Sequence, residues 1–123
     1  MNKITLVVCD EDMDELDRIR QFMENRNEFE LEIIQDASEL VNEAKRRQPC
    51  IVLVNPEMKA FNEYDVCKKL MKDAHIPVML LVASDSTHRD SIEDCTADDV
   101  VTKPVEVNNL LNLVMKHMTV HQH

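Results

Sequence analysis

The 123-residue sequence predicts an α/β domain, a five-stranded parallel sheet between two layers of helices. Three observations predict it. Residues 51–54 (I-V-L-V) and 77–83 (P-V-M-L-L-V-A) are unbroken apolar runs, short enough for strands covered on both faces. Segments with apolar residues at i, i+3 and i+4 spacing alternate with such runs along the chain. The central run then meets Asn55-Pro56, where proline cannot donate to a ladder, so Asn55 stands at a strand's carboxyl end. In open α/β sheets chemistry sits just beyond those ends.

Residues 3–9 (K-I-T-L-V-V-C) form the first strand, with Asp10, Glu11 and Asp12 at its end. Asp12 caps a helix running to about Asn25, and Glu15 completes a capping box. Met13, Leu16, Ile19, Phe22 and Met23 make the buried stripe of that helix. Residues 29–35 alternate as F-E-L-E-I-I-Q, which suits a half-exposed edge strand. Asp36 caps a second helix with Glu39 as box partner; Leu40, Val41 and Ala44 face inward, and Arg46, Arg47 and Pro49 end it. After the central strand comes a loop over 56–62. Asn62 caps a third helix carrying Tyr64, Cys67, Leu70 and Met71.

The fourth strand leads into a short polar helix near 87–95, with few apolar anchors beyond Ile92, expected to be the least stable element. Residues 100–102 are a fifth strand, followed by Lys103-Pro104. A last helix over about 106–118 buries Val107, Leu110, Leu111, Val114 and Met118. Five strands alternating with five helices, the second strand at an edge, give the order 2-1-3-4-5 of flavodoxin-like three-layer (βα)5 sandwiches. The switch point then falls between strands one and three, which end at Asp10 and Asn55.

Composition bounds the function. One domain over 1–123 is expected from the length. Residues are 44% hydrophobic and 31% charged, as in globular chains. Twenty-four acids against 14 bases give a net charge of -10, which repels nucleic acid and anionic membranes. Through Asp36 there are eleven acids and four bases, read as solvated faces except at Asp10 to Asp12. No apolar run spans a bilayer and no signal segment opens the chain, so a cytoplasmic location is expected. Cys9, Cys50, Cys67 and Cys95 lack C-x-x-C spacing, which argues for free thiols rather than a zinc or dithiol motif. The terminal His121-Gln122-His123 is too short for a metal site. There is no glycine, which excludes phosphate-cradling glycine loops and forces residues with a Cβ into every tight turn.

Four stretches together, T-L-V-V-C-D-E-D, P-C-I-V-L-V-N-P-E-M, I-P-V-M-L-L-V-A and A-D-D-V-V-T-K-P, resemble the receiver domain of bacterial response regulators, the CheY-like family. The resemblance covers nearly the whole chain. It implies a site where two acids after the first strand and an aspartate after the third hold Mg²⁺. That aspartate takes a phosphoryl group from a histidine kinase. A lysine before a cis-proline pairs with the phosphoryl oxygens, and a hydroxyl residue and an aromatic relay the change. Here Cys9 takes the place of the first acid and Asp10 keeps the second. Asn55 takes the place of the phosphoacceptor, Val82 of the hydroxyl residue and Val100 of the aromatic. Lys103 and Pro104 match. Ala60 and Glu63 stand where the third loop usually has glycines.

The chemistry of these replacements can be stated without the family. An amide oxygen is a poor nucleophile toward phosphorus, while Asn is nearly isosteric with Asp, so packing survives and the reaction does not. Asp10 and Lys103 sum to zero charge and can pair. Each carboxylate lost removes roughly 8 kcal/mol of gross attraction for Mg²⁺ at about 4 Å and an effective dielectric of about 20, before desolvation offsets much of it. No cofactor is expected; Asp10 and Glu11 remain candidates for weak Mg²⁺ binding. The expected function is therefore a divergent pseudo-receiver in two-component signalling. No enzymatic activity is expected, and the expected partner is a signalling protein: a histidine kinase, an output protein or a second copy. The expected surface is the fourth helix, fifth strand and last helix, where Val105, Leu113 and Met115 lie outside the buried stripe. Two alternatives stand beside it: phosphorylation on a substitute acid, Asp10 or Glu57, and a thiol sensor at Cys9. Against the last, burial makes Cys9 a small core residue, and Asp10 beside it disfavours the thiolate.

Overall fold

The computed structural model describes residues 3–83 and 97–121. The elements are β1 (Ile4–Cys9), α1 (Met13–Glu24), β2 (Phe29–Ile34), α2 (Leu40–Arg46), β3 (Cys50–Val54), α3 (Glu63–Cys67), β4 (Val78–Val82), β5 (Asp99–Thr102) and α4 (Val107–His121). All strands are parallel, in the order β2-β1-β3-β4-β5. The helix expected near 87–95, and Cys95 with it, lie outside the described residues.

Strand periodicity divides the core in two. Val7, Cys9, Val52, Val54, Leu80 and Val82 point to one face, where Leu40, Ala44, Val66 and Leu70 of α2, α3 and its continuation cover them. Leu6, Val8, Ile51, Leu53, Met79 and Leu81 point to the other, under Leu16 and Ile19 of α1 and Leu110 and Val114 of α4. Alternate residues serve opposite faces and both faces are covered, which is why β3 and β4 read as continuous apolar runs.

The helix starts follow their caps. Asp12 accepts the N–H of Glu15 (3.3 Å) and Asn62 that of Asp65 (2.9 Å). Asp36 caps a 3-10 turn, Ala37–Glu39, through Ser38 rather than α2 itself, so the expected box with Glu39 does not form. The box expected at α1 is also half made: the Glu15 side chain turns inward to another partner, described below. After Cys67 the third helix widens into a π-helical turn, Lys68–Asp73. The absence of glycine shows at Ala60 (φ 68°) and His75 (φ 57°), which take the left-handed conformation despite their Cβ atoms. His75 follows the residue that ends the widened helix, where glycine is the usual choice.

Several positions differ from the sequence reading. Met13 is 51% exposed, and its sulfur meets the Gln35 amide at the rim instead of entering the core. Tyr64 lies on the outer side of α3, 74% exposed. Val105 is buried, packed with Leu110 and Val114, so it is not part of an outer surface; Leu113 is half-buried and Met115 exposed. His117, on the inner side of α4, is buried, with Nε2 2.9 Å from Asp99 Oδ2, which Lys116 also reaches at 3.2 Å. Beside it, at the amino ends of the strands, Ile4, Pro49, Ile76, Pro77 and Met118 line a cavity of about 320 Å³.

Candidate functional site

Strands β1 and β3 end side by side, because the N–H of Asn55 bonds the carbonyl of Cys9 (2.9 Å). The N–H of Asp10 bonds the carbonyl of Ile34 on the other flank. These ladder bonds place the side chains of Asp10 and Asn55 together at the switch point. The N–H of Lys103 bonds the Val82 carbonyl (2.7 Å), bringing the end of β5 to the same rim, and the Lys103–Pro104 peptide is cis.

Asp10 is the hub. Its residue is fully buried, and its Oδ1 accepts three N–H groups: Glu11 at 2.7 Å, Asp12 at 3.3 Å and Asn55 Nδ2 at 3.0 Å. Its Oδ2 lies 2.8 Å from Lys103 Nζ. Asn55 is held at both ends of its amide, since its Oδ1 accepts the N–H of Glu57 (2.9 Å). That second bond fixes which way the amide faces: its NH₂ group, not its oxygen, meets the carboxylate. Lys103 also reaches Asp12 Oδ2 at 3.3 Å. Burial pulls the Lys103 ammonium toward its neutral form, but Asp10 and then Asp12 outweigh it and hold the group above the ordinary lysine value. Asp12 is held below the ordinary carboxylate range by the Glu15 N–H and, against slight burial, by Lys103.

The structure brings Asp10, Asn55 and Lys103 into contact and leaves the other candidates apart. The Cys9 thiol donates to the Met58 sulfur (3.6 Å) inside the apolar cluster. Burial, then Asp10, Asp36 and Glu11, push it up to about 12, so it stays a thiol. Glu11 contributes its backbone N–H while its side chain is exposed. Val82 is buried and Val100 half-buried, both in the cluster containing Cys9, where neither offers a hydroxyl or a ring. Among the described residues no group of three or more His, Cys, Asp or Glu is arranged to hold a metal ion. The carboxylates nearest the rim, Asp10 and Asp12, both face the Lys103 ammonium, and a divalent cation would have to displace it.

The pattern reading gave Glu15 a capping role and missed its buried one. It is 4% exposed, its Oε2 accepts the N–H of Val105 (3.1 Å), and Arg18 Nη1 lies 3.2 Å from both of its oxygens. The signal was present: Glu15, Ile19 and Met23 share one buried line on α1 at i, i+4, i+8 spacing.

Comparison with known proteins gives the family and the fold. The family described as "Response regulator receiver domain" matches residues 6–115. The chain is similar to the heme response regulator HssR of Staphylococcus saprophyticus, 30% identical over 108 residues, covering 87% of this chain and 48% of that protein. It is also similar to the sensory transduction protein RegX3 of Mycolicibacterium smegmatis, 29% identical, covering 88% and 48%. The chain thus spans about half the length of the curated relatives it matches. Among solved structures it is similar to a CheY-like receiver domain protein of Methanospirillum hungatei (TM-score 0.79, 18% identity, 98% of both chains). It is likewise similar to the receiver domain of the sensor histidine kinase PA1611 of Pseudomonas aeruginosa (TM-score 0.79, 12% identity, 96% and 99%), which was solved with a magnesium ion in its active-site cleft. On the match over residues 6–115 and on its sheet order, this chain belongs to the response regulator receiver domain family.

Proposed function

We propose that this receiver domain signals without accepting a phosphoryl group at position 55 and works through contacts with other proteins. The observation that carries the reading is the hydrogen bond from Asn55 Nδ2 to Asp10 Oδ1 at 3.0 Å. A donor occupies the place where a nucleophile has to present a lone pair, and it is itself anchored to the acid that would hold the metal. The Asp10 carboxylate meets three N–H groups and an ammonium, so it offers Mg²⁺ no oxygen without losing partners. Mg²⁺ sites usually rest on one or two carboxylates with waters and phosphate oxygens. The burial of Asp10 and its ion pair with Lys103 argue against it as a substitute acceptor, and the raised Cys9 thiol argues against a redox sensor.

The partner is a signalling protein, a histidine kinase, an output protein or a second copy. The outward side of β5 and α4, with Met115 50% exposed, is the surface we assign to it. No helix among the described residues is long and apolar enough to cross a membrane, which fits the cytoplasmic setting of such signalling.

The test is incubation with Mg²⁺ and acetyl phosphate followed by intact mass measurement. The mass of the unmodified chain is expected. A stable gain of one phosphoryl group, lost in Asp10→Ala or in Glu57→Gln, would replace this reading with the substitute-acid one.

A further inference from the structure

The loop between β5 and α4 carries the lysine that neutralises Asp10, and something must hold that loop in place. Pro104 has no N–H, so the first backbone donor after Lys103 is that of Val105. Val105 is 4% exposed, too deep for water to satisfy its N–H. The acceptor comes from 90 residues away in sequence: Glu15 Oε2 at 3.1 Å. Glu15 sits one turn into α1, whose start, Asp12, also touches Lys103 at 3.3 Å. The first turn of α1 thus grips the loop at two points, on either side of Pro104.

We infer that Glu15 is a positioning residue: its carboxylate fixes the loop from β5 to α4 so that Lys103 reaches Asp10 and Asp12. The carboxylate is buried, and an acid there costs desolvation unless its lone pairs are used. The Val105 N–H and Arg18 use them. An apolar residue at 15 would suit the buried line with Ile19 and Met23 better for packing alone. The acid instead serves a backbone group that has no other partner among the described residues. The inference concerns how the pocket is kept closed. It does not depend on whether position 55 can be phosphorylated, so the two stand or fall by separate measurements.

Three variants test it, each read by amide hydrogen exchange at Val105 and by the rate of reductive methylation at Lys103. The Val52 amide, in the middle of the sheet, reports global opening. Glu15→Met keeps the length and loses the acceptor. Exchange at Val105 and methylation at Lys103 are expected to rise at least about tenfold beyond any change at Val52. Glu15→Gln keeps a carbonyl oxygen for Val105, and both readouts are expected to return to within about threefold of the parent. Arg18→Met removes only the exposed partner and is expected to leave both unchanged. Unchanged readouts in Glu15→Met overturn the inference. So does a Glu15→Gln that behaves like Glu15→Met, or an Arg18→Met that frees the loop. Should Glu15→Met not fold, the Gln and Arg18 variants decide the matter by the same readouts.

Discussion

The two ends of the sheet each hold an acid beside a cation, one buried and one only partly so, and they use it differently. At the carboxyl end, Asp10 has 1% of its side chain exposed and is wrapped by three N–H groups and Lys103. At the amino end, Asp99 keeps 25% exposure and meets Lys116 and His117, the latter lining a cavity. The first cluster joins three segments far apart in sequence: the ends of β1, β3 and β5. The second joins only β5 to α4. The difference teaches that the carboxyl end is held by polar contacts drawn from distant segments, and the amino end by a local one. The carboxyl end is the more deeply buried of the two, although a receiver's ligands would enter there.

The sharpest way to break the comparison is Lys103→Met. It leaves Asp10 charged and buried with its three N–H donors but no cation. A loss of about 3 kcal/mol is expected, the low end for an orphaned buried charge, because those donors remain. Chemical denaturation measures it, and a loss under about 1 kcal/mol would show that Asp10 does not depend on the lysine. At the other end, Asp99→Asn should cost less, about 1 kcal/mol near neutral pH, since part of that carboxylate sees solvent.

The same variant sharpens the comparison through pH. Burial alone would raise the Asp99 carboxyl, but His117 and then Lys116 outweigh it and hold the group below the ordinary carboxylate range. A carboxylate depressed in the folded state binds fewer protons there than in the unfolded chain. Its stabilisation is therefore fully present above the ordinary carboxylate value and is lost as pH falls through the folded one. Unfolding midpoints measured down the acid limb should fall less steeply in Asp99→Asn than in the parent. Parallel curves would remove Asp99 from the account.

The smallest effect is expected at a position belonging to neither cluster, in the loop after β3. Ala60→Gly relieves a left-handed residue with a Cβ and should stabilise by about 1 kcal/mol, less what the more flexible unfolded chain takes back. Denaturation of the pair of proteins checks it, and a destabilised glycine variant would mean that the alanine methyl packs favourably.

Much of the scaffold was legible because it rests on local signals. The apolar runs at β3 and β4, the caps Asp12 and Asn62, and Asn55-Pro56 at a strand end each depend on a few neighbouring residues. The meeting of Asp10 and Asn55 followed from sheet order, and the pairing of Lys103 with Asp10 from their opposite charges and from the resemblance. The buried roles of Glu15 and His117 were not found because both are polar residues on buried helical lines. An acid in a helix's first turn also reads as a cap, and a histidine near a helix end reads as solvated. Met13 misled in the reverse sense: it falls on the α1 stripe by spacing, yet its side chain stays at the rim beside Gln35. The Gln48–Pro49 peptide, also cis, carries no signal in the sequence.

One feature of the edge bears on assembly. β2 borders the sheet with Glu30 exposed and Glu32 half-buried against Arg47 (3.1 Å). A strand from another molecule that tried to extend the sheet at this margin would meet alternating carboxylates and would have to break the Arg47 contact. Sheet extension at this margin is thereby disfavoured, and a second copy is steered toward the other side of the molecule, where β5 and α4 lie.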